Sequence, residues 1–180
     1  SRKVTGILPV KALQFFSGIS DSEEEVVSIS ITATSAILQS KNSIVNTRLI
    51  EGSFPDYEKA IPTSNPLKAT VDASEFENAI RQASVVTEEK SASVKFTFKN
   101  RKITVASSTQ NLGEATVPID CSYDGKEFSI VFNPKFILDY LKTVKEKDVV
   151  LHMRAPGNAV LFTSGDDHLY VVMPLNVDVR

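Results

Sequence analysis

A chain of 180 residues, 42% of them hydrophobic, is long enough to build the core of one large domain or of one and a half ordinary ones. Its formal net charge of -2 gives no global case for nucleic-acid binding, so any such case has to come from where the lysines and arginines fall. No apolar run approaches the roughly 20 residues that span a bilayer, no signal-peptide pattern opens the chain, and the single cysteine, Cys121, excludes an internal disulfide and a cysteine-based zinc site. The lone cysteine fits a reducing cytoplasm, and Ser1 in place of a methionine suggests a fragment.

In chain order, the spacing predicts a first helix that starts at Pro9 and runs through Leu13 to Phe16. Val27, Ile29, Ile31 and Ala33 then alternate with polar residues, the period-2 pattern of a strand buried on one face. The run Glu23-Glu24-Glu25 reads as a solvated loop. Gly52, Pro55 and Pro62 interrupt regular structure across Leu49–Pro62, which reads as a hinge, and Phe54 and Tyr57 on that connector are expected to be packed. A second helix is expected near Ser74, with Ser74 and Glu77 as a capping box and Phe76, Ile80 and Ala83 facing inward. Alternating stretches follow at Val94–Phe98, Ala115–Cys121, Phe128–Phe132 and Val149–Met153. Between the third and fourth of these stretches, Asn133 as N-cap and Pro134 at the first position open a third helix whose inner face is expected to hold Phe136, Ile137, Tyr140, Leu141 and Val144.

The three helix starts lie about 60 residues apart, and each helix precedes three strand-like stretches. The chain therefore reads as a strand-helix-three-strand unit repeated three times, an α+β architecture in which helices line one side of antiparallel sheets. Turn signals at Lys99-Asn100-Arg101, Asp124-Gly125, Pro156-Gly157-Asn158 and Ser164-Gly165-Asp166 punctuate the strands. If two units make a domain, residues 63–180 form a whole one and residues 1–62, hinge included, form half of another.

Catalytic chemistry finds no assembled set of residues. There is no phosphate-cradling glycine loop, His152 and His168 lack metal-ligand spacing, Asp166-Asp167 read as turn formers, and Cys121 falls in the apolar phase of its strand. No enzyme activity, cofactor or metal is expected. The outward helix faces present Lys11, Arg81, Lys142 and Lys145, which could track phosphates, although lysines on exposed helix faces are ordinary and by themselves make a weak case.

The segments Leu49–Pro62, Phe132–Leu141 and Tyr170-Val171-Val172-Met173-Pro174-Leu175 closely resemble, in order and spacing, the bacterial sliding clamp, the beta subunit of DNA polymerase III. The resemblance implies the DNA clamp fold. It also implies a processivity factor for DNA replication that encircles double-stranded DNA as a head-to-tail homodimer ring, without reading sequence. The chain would be the C-terminal half of the middle clamp domain, residues 1–62, and the complete C-terminal domain, residues 63–180. Carried over from the family, a pocket that accepts linear peptides of the DNA polymerase III alpha subunit and the clamp loader is lined by Pro55, Lys59, Ala60, Asn133, Phe136, Val171, Val172, Met173, Pro174 and Leu175. Lys11, Arg81, Lys142 and Lys145 would face DNA, and Val85, Val86 and Glu114 would lie at the ring interface, a core role for both valines remaining open.

The sequence departs from the family at the strand around Glu114, which is less acidic than usual, at Ser91, where the family carries an aromatic, and at the terminus, where Asn176-Val177 and an added Asp178-Val179-Arg180 replace the usual basic residue and leucine. The alternative reading is a β-rich scaffold or small-ligand-binding domain with no nucleic-acid role, which would bind independently of salt.

Overall fold

The computed structural model describes residues 5–19, 26–87, 92–109 and 113–175. Glu23–Glu25, Ser91 and the terminal departures Asn176 to Arg180 lie outside the described residues. Contacts divide the chain into two compact units, Ser1–Asp56 and Tyr57–Arg180.

The first unit holds α1 (Val10–Ile19) and a three-stranded antiparallel sheet, β1 (Ser28–Ile31), β2 (Ser35–Gln39) and β3 (Ile44–Arg48), in the order β1-β2-β3. Cross-strand register puts Ile29, Leu38 and Val45 on one face, and Ile31, Ala36 and Thr47 beside them. Ala36, Leu38 and Phe16 of α1 are buried, whereas Leu13 is 41% exposed. Of the strand expected over Val27–Ala33 only Ser28–Ile31 forms, with Val27 and Ala33 outside it, and its apolar row is not buried as the alternation suggests: Ile29 is 53% exposed. β1 ends the sheet, with no strand on its outer edge among the described residues, so no neighbouring strand covers that side of Ile29. Phe54 and Tyr57 correct a second expectation, since they are 67% and 61% exposed and the turn Tyr57–Ala60 has no buried residue.

The second unit consists of β4 (Leu67–Asp72), α2 (Ala73–Ser84), β5 (Val94–Lys99), β6 (Lys102–Thr109), β7 (Gly113–Asp120), β8 (Phe128–Phe132), α3 (Pro134–Leu141), β9 (Asp148–Met153), β10 (Val160–Ser164) and β11 (His168–Val172). This is the strand-helix-three-strand unit twice over. The sheets run β11-β10-β9-β4 and β7-β6-β5-β8, so each repeat lends its first strand to the sheet of the other. Alternating apolar positions of both sheets meet α2 and α3 in one core. An aromatic chain threads it: Phe76 of α2 meets Phe96 at 5.6 Å, Phe96 meets Phe132 at 5.6 Å, Phe132 meets Phe162 at 6.0 Å and Phe162 meets Tyr140 of α3 at 5.7 Å, while Tyr140 stacks on Tyr170 at 4.9 Å. Such pairs add to the burial of each ring and fix the sheets against both helices.

The caps differ in part from the sequence reading. Asn133 caps α3 through Lys135 N, and Pro134 follows it. Phe136, expected inside, is 49% exposed, because Ile137, Tyr140 and Leu141 fill the buried stripe, and Val144 lies beyond the end of the helix. At α2 the cap is Asp72, not Ser74: its Oδ1 accepts from Ser74 N at 2.9 Å and Glu75 N at 3.0 Å, while Glu77 is taken by Arg81. β4 delivers Asp72 in extended conformation at the helix mouth, which leaves Ser74 inside the first turn as a further donor to the same carboxylate.

These donors, the Glu75 amide foremost, hold the Asp72 carboxyl below its usual range. A lowered folded value contributes stability above the unfolded carboxylate range, which is lost as pH falls through the folded value. Asp72→Ala is expected to cost about 1 kcal/mol at neutral pH. The difference from the parent protein should shrink as denaturation curves are recorded at progressively acidic pH, and a pH-independent difference would contradict the assignment.

Candidate functional site

The chain leaves β11 at the edge of one sheet and crosses to β8 at the edge of the other, where Leu175 N donates to Val131 O at 2.8 Å. Val131 lies just before the Asn133 cap, so the tail is pinned beside the start of α3. The first repeat makes the same crossing: past β7, Ser122 N donates to Thr70 O at 2.8 Å on β4. Superposing these two bonds matches Leu175 with Ser122 and Met173 with Asp120. All four are exposed. Where the first crossing turns an acid and a serine outward, the second turns out methionine and leucine, 63% and 39% exposed, next to a helix that also exposes Phe136. Val172 is 5% exposed and belongs to the core, while Val171 and Pro174 are half-buried.

Register extends this face across the sheet. Val171 lies opposite Leu161, which lies opposite His152, which lies opposite Lys68. Leu161 and His152 escape a reading of the tail alone, because only strand pairing places them beside Val171. Their signal in the sequence is the alternation of β9 and β10 out of phase with the core residues. His152 is bound to Thr163 Oγ1 at 3.0 Å, and burial together with Lys68 holds its pKa below the ordinary value. Of the remaining expected pocket residues, Lys59 and Ala60 sit in the exposed turn Tyr57–Ala60, and Pro55 belongs to the first unit.

α2 and α3 touch each other. Their cations do not stand alone: Arg81 grips Glu77 with Nε at 3.0 Å and a terminal nitrogen at 2.6 Å, and Lys142 Nζ holds Asp139 at 2.8 Å. Exposed pairs of this kind contribute about 0.3–0.5 kcal/mol and exchange readily for another anion. Lys145 follows α3 and is exposed, and Lys11 is exposed on α1 of the first unit.

Val85, just past α2, is 78% exposed, which removes it from the core. Val86 is half-buried and its carbonyl accepts from Thr109 Oγ1 at 2.9 Å. Thr109 pairs with Gly113, and the neighbouring Glu114 is exposed on β7, the edge strand of its sheet. Val85, Val86 and Glu114 thus gather around one end of an open strand edge.

Cys121 is buried, and burial together with Asp120 and Asp124 pushes its pKa up to about 11. Among the described residues no three histidine, cysteine, aspartate or glutamate side chains gather as a metal-binding set, and no helix is long and apolar enough to cross a membrane.

Strand-exchanged sheets backed by two touching helices define a DNA-clamp fold. The solved structure of the DNA polymerase sliding clamp from Bacillus subtilis superposes with a TM-score of 0.88 at 28% identity, over 98% of this chain and 48% of that one. Residues 58–176 match the family model of the DNA polymerase III beta subunit, C-terminal domain, and residues 1–56 match that of its central domain. The chain belongs to the DNA polymerase III beta subunit family. It is 30% identical over 171 residues to the beta sliding clamp of Chlamydia trachomatis, covering 95% of this chain and 41% of the relative, and 29% identical over 179 residues to that of Bacillus subtilis, covering 98% and 47%. The chain spans less than half the length of these relatives.

The exposed positions of the tail carry a prediction for folding. Met173→Ala and Leu175→Ala should each change unfolding free energy by no more than about 0.5 kcal/mol, whereas Val172→Ala, a core truncation, should cost about 1–3 kcal/mol. Denaturant titration of the three variants distinguishes them, and a large loss at Met173 would place it in the core.

Proposed function

We propose that the chain serves a DNA sliding clamp as its partner-docking and part of its DNA-facing surface, a processivity factor that works by topology and uses no catalytic residue. The observation that carries this is the apolar tail, Met173 and Leu175, turned outward beside Phe136 at a crossing where the other repeat presents Asp120 and Ser122. A linear apolar peptide finds there a shallow surface with an adaptable methionine at its centre. Segments of the DNA polymerase III alpha subunit and of the clamp loader are the proposed occupants, with Lys59, Ala60 and Asn133 as further lining residues. Tethering a polymerase this way turns each rebinding to DNA into an intramolecular event.

Residues 1–62 act as the second half of a middle domain, and residues 63–180 as a complete C-terminal domain. The open edge of β1 supports the first assignment, since both sheets of the second unit are completed at the corresponding strand, β5 or β9, by a strand from another repeat. Val85, Val86 and the β7 edge around Glu114 would meet a partner protomer head to tail, closing a ring in the bacterial cytoplasm.

Lys11, Arg81, Lys142 and Lys145 are assigned to the inner wall of that ring, where phosphate replaces the acids that now hold Arg81 and Lys142. Lys142→Glu combined with Lys145→Glu should shorten retention of the ring on nicked circular DNA and reduce the slope of log affinity against log salt by about 2. Retention unchanged across a salt series would remove the DNA assignment and favour a scaffold.

The docking assignment is tested by titrating a fluorescent peptide from the clamp-binding end of the polymerase III alpha subunit. Met173→Ala with Leu175→Ala should weaken binding by roughly 1–3 kcal/mol per residue while circular dichroism stays unchanged. Undiminished binding by the folded double variant would overturn it.

A further inference from the structure

The chain has two methionines, and they occupy opposite environments: Met153 is fully buried in β9, and Met173 is 63% exposed on the tail. A thioether needs no deprotonation to accept an oxygen atom, so access of the oxidant decides which methionine reacts. The one competing sulfur, Cys121, is buried and its thiol is kept protonated far above neutral pH, which suppresses the reactive thiolate. Among the sulfur groups of this chain, geometry therefore singles out one.

From this contrast we propose that Met173 is an oxidation site through which peroxide-class oxidants switch off partner docking. The inference rests on the docking reading above and adds its regulation. In the step, the Met173 sulfur lone pair attacks one oxygen of hydrogen peroxide, the O–O bond breaks, a sulfur–oxygen bond forms, and water leaves. Sulfur is oxidised by two electrons and the peroxide reduced by two. The product sulfoxide is polar and chiral, where the docking surface needs an apolar, adaptable contact. The fold has no reason to respond, because Met173 lies outside the core, its neighbour Val172 remains buried in β11, and the tail stays tied through the Leu175 amide to Val131 O.

The experiment treats the protein with low millimolar hydrogen peroxide in the presence of a chelator. Peptide mapping by mass spectrometry then follows oxygen addition at both methionines, and the labelled alpha-subunit peptide is titrated before and after. Met173 should gain one oxygen while Met153 stays unmodified, peptide affinity should fall at least about tenfold, and methionine sulfoxide reductases A and B with a thiol reductant should restore it. Whatever its own starting affinity, Met173→Leu should show no change in peptide affinity on peroxide treatment, and Met173→Gln should be weak from the start. Equal oxidation of Met153, protection of Met173, or full peptide affinity after complete conversion of Met173 would overturn the switch. Absence of peptide binding before oxidation would instead overturn the docking reading itself, so the two failures are told apart.

Discussion

Neither repeat of the second unit can close its own sheet, and most of the architecture follows from that constraint. β4 opens the first repeat yet completes β9-β10-β11, and β8 opens the second yet completes β5-β6-β7. The exchange makes the two repeats one folding unit, since separating them would expose the unpaired edges of β5 and β9 and break the aromatic chain at Phe96–Phe132. It also fixes where the chain must travel. A strand leaving the far edge of one sheet finds the lent strand of the other sheet alongside, and this is why Ser122 reaches Thr70 and Leu175 reaches Val131. The tail face is therefore a product of the fold's internal symmetry, with only its side chains changed between the copies.

The first unit illustrates the same constraint by contrast. Its strands and helix bury Phe16, Ala36 and Leu38, but among the described residues no strand pairs with the outer edge of β1, and Ile29 stands half out of the core. Alternation in the sequence identifies the strand correctly, because the period of two is set by local backbone geometry. It carries no information on whether a neighbouring strand will cover the row. Burial belongs to the assembled sheet, and a period of two does not specify it.

The same division between local and non-local information runs through the other outcomes. The repeat, the three helices and the Asn133-Pro134 start were legible because caps, proline and periodicity act within a few residues. The exchange of β4 and β8 was not legible, since pairing between strands so distant in the chain leaves no local signature. At α2 the sequence pointed to Ser74 with Glu77, and the path of β4 into the helix instead sets Asp72 at the cap. Phe136 fits the apolar stripe of α3 on a helical wheel, yet the core has room for Ile137, Tyr140 and Leu141 at that level, so the ring is left outside. The tail residues Met173 and Leu175 were reached through family resemblance, although a physical signal was present: the crossing after β11 is apolar at positions where the crossing after β7 is polar.

On the proposed DNA-facing assignment, the helix layer would attract DNA without gripping it. Were Arg81 and Lys142 held by buried acids, releasing them to phosphate would leave uncompensated charges at a cost of several kcal/mol. Here Glu77 and Asp139 are on the helix surface, within one turn of their cations, and the pairs are weak. Exchanging a carboxylate for a phosphate then changes little in free energy at any one position, and the next phosphate along the duplex offers an equivalent partner. Glu75, Glu77, Asp139 and Glu146 nearly balance the cations of this layer, which keeps the mean field low and limits the depth of any electrostatic well. A clamp reading requires contacts that are individually shallow and mutually interchangeable, and an arginine or lysine pre-paired to an exposed acid one helical turn away supplies that property without any change in the backbone that carries it.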